Sequence, residues 1–385
     1  MIQKAERLHS VTEYYFSKKL REVAALRKEG KAIINMAIGS PDLEPPSSIM
    51  EALKSTADIE GAHQYQSYQG IPELREAIAN FYQKHYQVTL DPNSEILPLM
   101  GSKEGIMHIS MAFLNKGDGV LIPNPGYPSY ASVGSLMQAK VIAYNLNESN
   151  NWQPDYQALE KQNLSKVKIM WLNYPHMPTG ASATKEAFQK VIAFAKKHEL
   201  LIVHDNPYSF ILNDRPQSML EIEGARERAI ELNSLSKTFN MAGWRVGMVV
   251  GKASVIKTIL QVKSNMDSGM FLGIQKGAIA ALQSPDNWFE ELNKTYVKRR
   301  EIVWQIFDVL QCTYNKKSAG LFVWATLPKG KNSIEFIDRL LHEKQVFIAP
   351  GTIFGSNGEG YIRASLCVSE QLLKEVLNRL STPNI

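Results

Sequence analysis

The middle of the chain alternates short, strongly apolar runs with amphipathic segments. Five runs are bounded by turn residues and predict strands: "GVLIPNPGY", "KIMWLNYP", "LLIVHDNPY", "RAIELNSLSK" and "WRVGMVVG". Between them, "ATKEAFQKVIAFAKKHEL" spaces Phe188, Val191, Ile192 and Ala195 at helical intervals, which predicts a helix with one apolar face. This alternation predicts an α/β fold, and nearly continuous apolar strands are typical of a buried, mostly parallel sheet.

Two segments before this region also carry clear helical patterns. In "GIPELREAIANFYQKHY", Leu74, Ala77, Ile78 and Phe81 share a stripe, and Pro72 stands where a helix begins. The segment "EILPLMGSKEGIMHISMAFL" predicts a strand, a Gly-Ser turn and a second apolar helix. Both helices belong to the same α/β unit.

The pattern changes near residue 284 and predicts a division into domains. A long charged amphipathic segment, "NWFEELNKTYVKRREIVWQIFDVLQ", is followed by strand-like "GLFVWATL", "VFIAPG" and "GYIRASL". We expect a large domain over 46–284 and a smaller α+β domain over 285–385. The N-terminal arm, 1–45, is expected to join the smaller domain.

Composition excludes several classes of protein. With 385 residues, 44% hydrophobic and 21% charged, the chain is a typical globular protein. A net charge of +5 without a basic run predicts no nucleic-acid partner. No signal core or long uncharged apolar run is present, and Cys312 and Cys367 are far apart, so we expect a cytoplasmic protein that does not enter membranes. The scattered histidines predict no metal site.

Several polar residues stand where strands are predicted to end. Asp205 follows a strongly apolar run, and ligands of open α/β sheets bind at the carboxyl ends of strands. The turn at Gly101, Ser102 and Lys103 opens a helix whose N–H groups could bind an anion. Each has an ordinary alternative, because a carboxylate often caps a turn and many Gly-Ser turns bind nothing.

An aromatic residue and an arginine complete the candidate set. Tyr127 lies in the Pro-Gly loop "NPGYPSY" and could stack on a flat ring or simply anchor the loop. Arg363 lies on the polar face of the alternating "YIRASL" and could bind a carboxylate bidentately or remain a solvated charge. Lys237, in "ELNSLSKTFNMAGWRVG", is either a surface lysine or an amine at the end of a buried strand.

Taken in order, these motifs resemble one known family over nearly the whole chain. The sequence resembles four motifs of the class I/II aminotransferases. The segment "SLSKTFNMAGWRVG" resembles their cofactor-lysine motif, and "NYPHMPTG" resembles their Asn-Pro-Thr-Gly loop. The segment "DNPY" resembles their Asp-x-x-Tyr motif, and "YIRASL" resembles the segment with their carboxylate arginine. These are fold-type I enzymes that use pyridoxal 5′-phosphate. The resemblance implies transfer of an amino group between an L-amino acid and a 2-oxo acid, with 2-oxoglutarate the expected acceptor.

The resemblance also implies roles at the cofactor ring. Lys237 would form a Schiff base with the cofactor and then move a proton as general acid and base. Asp205 would pair with the pyridine nitrogen, Tyr208 would hydrogen-bond the ring hydroxyl, and Tyr127 would stack on the ring face.

Further roles concern the phosphate and the substrate. Gly101, Ser102, Lys103, Ser234 and Arg245 would hold the phosphate, together with Tyr65 from a second subunit, so a homodimer with shared active sites is implied. Arg363 would bind the substrate α-carboxylate, and the backbone near Gly39 would close over it.

One residue departs from the family pattern. Met177 precedes Pro178, where the family usually has an asparagine that donates to the ring oxygen. We expect a raised imine pKa unless His176 replaces that donor.

Carbon-sulfur β-elimination on the same fold stays open as an alternative activity. The substrate also stays open, and Tyr68 and Met270 are candidates for its side-chain pocket.

Overall fold

The structure is a computed structural model that describes residues 2–11, 13 and 15–382. Its strands are β1 Ile34–Asn35, β2 Ile96–Leu99, β3 Gly119–Asn124, β4 Lys140–Asn145, β5 Val167–Asn173, β6 Leu201–Asp205, β7 Ala229–Ser234, β8 Gly247–Gly251, β9 Thr313–Tyr314, β10 Phe322–Thr326, β11 Val346–Phe347, β12 Ala349–Pro350 and β13 Tyr361–Ser365. Its α-helices are α1 Tyr15–Lys28, α2 Ser47–Thr56, α3 Pro72–Tyr86, α4 Ser102–Phe113, α5 Pro128–Leu136, α6 Tyr156–Glu160, α7 Lys185–His198, α8 Leu235–Thr238, α9 Ala253–Lys263, α10 Leu272–Leu282, α11 Asn287–Val309, α12 Ser333–Lys344 and α13 Glu370–Ser381.

A seven-stranded sheet in the order β2-β8-β7-β6-β5-β3-β4 forms the centre of the molecule. Strands β3 to β7 pair in parallel, whereas β8 runs antiparallel to both β2 and β7. Buried apolar clusters cover both faces of the sheet. The predicted α/β class with a mostly parallel mixed sheet is therefore confirmed.

The carboxyl ends of the parallel strands bring polar residues to one edge. In the register, Asn173 of β5 lies beside Asp205 of β6, and β7 ends at Ser234 opposite Gly247 of β8. The connection 235–246 between β7 and β8 is short because these two strands are antiparallel. This edge is where ligands of open α/β sheets bind.

A second layer is built from the two ends of the chain. The antiparallel sheet β12-β13-β10-β9 packs with α11, α12 and α13. Near the N-terminus, β1 pairs in parallel with β11, so Ile34 lies beside Val346. No helix in the part of the chain that the structure describes combines the length and apolarity needed to cross a bilayer.

Most predicted elements form close to their predicted positions, and two differ. The segment "SLSK" belongs to a helical turn, α8, because the Ser234 hydroxyl caps it by accepting from the Ser236 N–H at 3.1 Å. The segment "VFIAPG" is divided into β11 and β12, which pair with different partners. Neither difference moves a candidate residue away from the sheet edge.

Candidate active site

A cavity of about 580 Å³ opens at the carboxyl ends of the central strands. It is lined by residues from the sheet edge, from the N-terminal segment and from the second layer: Phe16, Ser17, Leu20, Ala37, Ile38, Gly39, Ser40, Ser102, Lys103, Tyr127, Tyr130, Asn173, Met177, Asp205, Pro207, Tyr208, Ser234, Ser236, Lys237, Ala242, Arg245, Phe322, Phe354 and Arg363. Ten of the predicted site residues lie on this wall, so residues far apart in sequence meet in one cavity.

Lys237 extends into the cavity from the turn α8 at the end of β7. Its Nζ donates to the Gly39 carbonyl at 2.5 Å, which joins the central sheet to the N-terminal segment. Burial lowers the pKa of the Lys237 amine, and the positive charges of Arg363 and Arg245 lower it further. The interpretation as a surface lysine is therefore wrong, and the site favours an amine that can be neutral.

Asp205 ends β6 and has one partnered and one unpartnered oxygen. Its Oδ2 accepts from the Tyr130 hydroxyl at 2.6 Å, while Oδ1 is buried without a hydrogen-bond partner. Burial raises the pKa of Asp205 to about 6, although the Tyr130 hydrogen bond acts in the opposite direction. A buried carboxylate oxygen without a donor is costly, so this atom is suited to a cationic or N–H group of a ligand.

Aromatic residues surround this carboxylate. The Tyr130 ring stacks on Trp171 with centroids 4.8 Å apart, and Tyr127 meets Tyr130 edge-on at 5.6 Å. Tyr208 is buried and contacts the Phe322 ring edge-on at 5.9 Å. The site therefore offers flat, apolar walls on which an aromatic ring can pack.

The N-terminus of α4 and Arg245 form an anion-binding corner. Gly101 caps α4 with φ +90°, and a Cβ on it would lie 2.0 Å from Arg245 Nη2. A side chain there would displace the guanidinium from the helix N-terminus, and the positive φ itself favours glycine. Arg245 itself has φ +58°, and its Nη1 donates to the Ala242 carbonyl at 2.9 Å. Helix N–H groups next to an exposed guanidinium are suited to a phosphate.

Arg363 is almost completely buried, with 4% of its surface exposed. Its guanidinium carbon lies 3.7 Å from the Phe322 ring centroid and 4.4 Å from that of Phe354. Nη2 donates to the Ala37 carbonyl at 2.7 Å. The solvated-charge alternative is wrong, because these rings fix the plane of the guanidinium next to the cavity.

The loop after β5 contains the departure noted in the sequence. Met177 lines the cavity, and its Sδ accepts from Arg363 Nη1 at 3.1 Å. The Asn173 side chain donates to the Asp205 carbonyl at 2.7 Å and accepts from the Met177 N–H at 2.7 Å. His176 is buried, lies 2.8 Å from the Thr179 hydroxyl and is not on the cavity wall. His176 therefore does not replace the missing donor.

Three expected residues lie elsewhere. Tyr65 is 91% exposed and outside the cavity of its own chain. Tyr68 is partly exposed and Met270 is buried, and neither lines the cavity, so the suggestion that they form the side-chain pocket finds no support within one chain.

The described residues contain one group whose ligand atoms are close enough for a metal ion, namely Glu104, His108 and Asp267, within 4.8 Å of one another. The Lys263 ammonium lies 2.7 Å from each carboxylate oxygen of Asp267. Because this ammonium already balances the Asp267 charge, we assign no metal there.

Sequence reasoning missed five contributors to the site. Tyr130 and Asn173 contact Asp205 directly, whereas Phe322 and Phe354 enclose Arg363. Ser236 also lines the cavity, and its position in Ser-x-Ser-Lys was the one local signal that could have indicated it.

Comparisons with known proteins agree with this geometry. The family model for aminotransferase class I and II matches residues 31–380. The chain is 41% identical to the LL-diaminopimelate aminotransferase of Oleidesulfovibrio alaskensis over 381 residues, or 98% of each protein. It is 38% identical to that of Halothermothrix orenii, over 100% of this chain and 99% of the relative.

Solved structures show the same fold. The ligand-free structure of BacF from Bacillus subtilis has a TM-score of 0.95 at 36% identity and covers 99% of this chain and 98% of its own. A mutant aspartate aminotransferase of Thermus thermophilus has a TM-score of 0.92 at 25% identity, over 99% of both chains. These relatives favour transamination over the carbon-sulfur lyase activity. The chain therefore belongs to the class I and II aminotransferases, which use pyridoxal 5′-phosphate to transfer an amino group between an amino acid and a 2-oxo acid.

Proposed function

We propose that the chain transfers the amino group of LL-diaminopimelate, or of a closely related diamino dicarboxylate, to 2-oxoglutarate. The relatives at 38% to 41% identity over the full length carry this substrate in their names. Arg363 lines the cavity and can meet the α-carboxylate of such a substrate.

The residues present fit pyridoxal phosphate. The observation that carries this assignment is the unpartnered Oδ1 of Asp205, in the same cavity as the Lys237 amine and the Arg245 guanidinium. Asp205 would hold the ring nitrogen, the α4 N-terminus and Arg245 would hold the phosphate, and Tyr208 would hold the ring hydroxyl. When bound, the cofactor supplies an electrophilic carbon and an electron sink next to the amine.

Lys237 would act as the base and acid of the transfer. Burial lowers the pKa of this amine below its ordinary value of 10.5, which favours the neutral form that a base requires. The hydrogen bond to the Gly39 carbonyl holds the amine at the cavity wall. A neutral, positioned amine can accept the substrate α-proton and, as an ammonium, donate it again to a second carbon within its reach.

Arg363 would orient the substrate. Its two rings and its bonds to the Ala37 carbonyl and Met177 sulfur fix the guanidinium before a ligand arrives. A charge-assisted contact with a carboxylate contributes about 1.5–3 kcal/mol, and a fixed fork loses little entropy on binding. The bound substrate is thereby held in the cavity that the Lys237 amine also lines.

The cofactor spectrum tests the donor. Single amino acids are added to the purified holoenzyme without an oxo acid, and the conversion of the visible absorbance is followed. We expect LL-diaminopimelate to convert the cofactor faster than aspartate, alanine or phenylalanine, while Lys237→Ala gives no conversion. A faster reaction with a monocarboxylic donor would refute the substrate proposal while leaving the family assignment intact.

We also infer that each active site is shared between two subunits. Tyr65 is 91% exposed in the single chain and lies next to the exposed Tyr68, which supports an interface there. Mixing Lys237→Ala with Tyr65→Ala chains tests this, because the mixed dimer would contain one intact site. Statistical mixing predicts about one quarter of the wild-type activity from two weak parents. No recovery after co-expression would contradict the shared site.

A cytoplasmic location completes the proposal. Cys312 and Cys367 are both buried free thiols. Unpaired cysteines are typical of reducing compartments. Fractionation of the source cells, with activity in the cytoplasmic fraction, is the direct measurement.

A further inference from the structure

A fully buried His-Glu pair lies on the opposite face of the sheet from the Asp205 side chain. His204 precedes Asp205 on β6, so strand alternation directs their side chains to opposite faces of the sheet. In the register, His204 lies beside Glu231 of β7, and its Nδ1 is 3.0 Å from Glu231 Oε2. Both side chains have 0% exposure. The catalytic roles proposed above use neither of them.

The hydrogen bonds around the pair determine where its protons lie. His204 Nε2 is 2.9 Å from the Tyr174 carbonyl, which can only accept. Glu231 accepts from Tyr82 and Ser218 hydroxyls at 2.8 Å each and from the Met219 N–H at 3.1 Å. A carboxylate with that many donors is held ionised, so it too can only accept from the ring. Both nitrogens of His204 must then donate, and the ring carries both protons.

The same network ties His204 to the active-site wall. Tyr174, whose carbonyl accepts from the ring, follows Asn173, and the Asn173 side chain binds the Asp205 carbonyl. The titratable groups near Glu231 are Tyr82, Tyr86 and Glu221, and those near Asp205 are Tyr127, Tyr130 and Tyr208. The cations Lys237, Arg245 and Arg363 line the same cavity as Asp205, whereas His204 lies on the opposite face of the sheet.

We infer that Glu231 holds His204 as an imidazolium and that His204 acts as a positioning residue, keeping Asp205 ionised from the opposite face of the sheet. The inference rests on the proposed role of Asp205 toward the cofactor ring. Burial is the main cause that raises the pKa of Asp205, His204 acts to lower it and Glu231 acts to raise it. Without the imidazolium, the Glu231 charge would act alone and favour protonation of Asp205 near neutral pH.

The first test needs neither cofactor nor activity. Nitrogen NMR of the ¹⁵N-histidine-labelled apo-protein, with the His204 signal assigned by its loss in His204→Gln, reports the protons on each ring nitrogen. We expect both ring nitrogens to carry a proton at pH 7. A neutral ring with one unprotonated nitrogen at pH 7 overturns the inference, whatever the substrate proves to be.

The second test separates positioning from simple structural support. The affinity of the apo-protein for pyridoxal phosphate is measured from pH 4.5 to 8 in wild type, His204→Gln, Glu231→Gln and the double variant. In wild type, we expect the affinity to fall at acidic pH as Asp205 is protonated. We expect His204→Gln to raise the midpoint of this fall by roughly 1 pH unit, and the double variant to return the midpoint toward the wild-type value. The surface pair His198 and Glu160, also 3.0 Å apart, is the control, and its Gln variants should not move the profile.

Each outcome has one meaning. If a folded His204→Gln protein has the wild-type dependence of affinity on pH, the positioning role is overturned. The same holds if the midpoint of the double variant is shifted as far as that of His204→Gln. If His204→Gln does not fold, the His204 ring in Glu231→Gln decides: without the carboxylate it should lose one of its two protons at pH 7, and a ring that keeps both overturns the inference. If Asp205→Asn leaves the affinity profile unchanged, the proposed role of Asp205 fails instead.

Discussion

Asp205→Asn is expected to stabilise the apo-protein while abolishing transamination. The carboxylate is buried with one oxygen unpartnered, and its pKa rises from the ordinary value of 3.8 to about 6. Because the folded-state pKa is raised, the unfolded chain releases this proton at a lower pH than the folded chain does. Wild-type stability therefore falls as the pH rises from about 3.8 to about 6 and stays reduced above that range.

The expected size follows from the difference of about 2.2 pH units between the two values. At about 1.36 kcal/mol per unit, the ionised Asp205 lowers the free energy of unfolding by about 3 kcal/mol above pH 7 and by about 1.6 kcal/mol at pH 5. Asparagine has nearly the same shape, can still accept from Tyr130 and has no charge to bury. The Asp205→Asn substitution should therefore remove this pH-dependent loss of stability.

Urea unfolding of the apo-protein at pH 5, 6 and 8 measures the difference. The exposed Asp214→Asn substitution is the matched control, and its stability should follow the wild type at every pH. The reasoning is refuted if Asp205→Asn is no more stable than wild type at pH 8, or if its advantage is equal at pH 5 and pH 8. Half-reaction rates of the same variant, which should be lost, show whether the costly carboxylate is retained for function.

Three further changes test other parts of the site. Met177→Asn restores a donor toward the ring oxygen, so the pH at which the cofactor's visible absorbance changes should fall below that of wild type; identical titrations would contradict this. Arg363→Lys keeps the positive charge but removes the forked guanidinium between the two rings. In steady-state assays, the KM for the amino donor should therefore rise about 10- to 100-fold. An unchanged KM would exclude Arg363 from carboxylate binding. Asp42 accepts from the buried Arg299 at 2.6 and 2.9 Å but is itself partly exposed. Asp42→Asn should therefore cost about 1–2 kcal/mol in urea unfolding, and Arg299→Met in the same chain should restore most of it; additive losses would refute the coupling.

The sequence predicted which single residues lie at the cavity better than it predicted the neighbours of each residue. Asp205 could be placed at a strand end because "LLIVHDNPY" is apolar up to that residue. Its neighbour in the next strand, Asn173, could not be identified as a partner, because strand order is set by packing between elements and not by local periodicity. Tyr130 was missed for the same reason, since its hydroxyl reaches a carboxylate 75 residues away.

Arg363 shows how alternation can mislead. The pattern of "YIRASL" predicts one polar face, and a polar face usually meets water. In the structure both faces of β13 are covered, and the rings beside Arg363 come from β10 and from the turn Gly351–Phe354. Burial of this charge depends on contacts between distant segments, so composition and spacing within the strand could not show it.

The reversed strand β8 has a consequence for the tolerance of the chain to insertions and deletions. Because β7 and β8 are antiparallel neighbours, Lys237 and Arg245 both lie in the single connection 235–246, and no crossover helix separates them. Their spacing depends on the length of that loop alone. Residues added to the exposed ends of crossover helices such as α7 would leave the spacing unchanged, whereas one residue added within 238–244 would shift the arginine relative to the amine. Natural length variation among related chains should therefore accumulate in the crossovers and be nearly absent between β7 and β8.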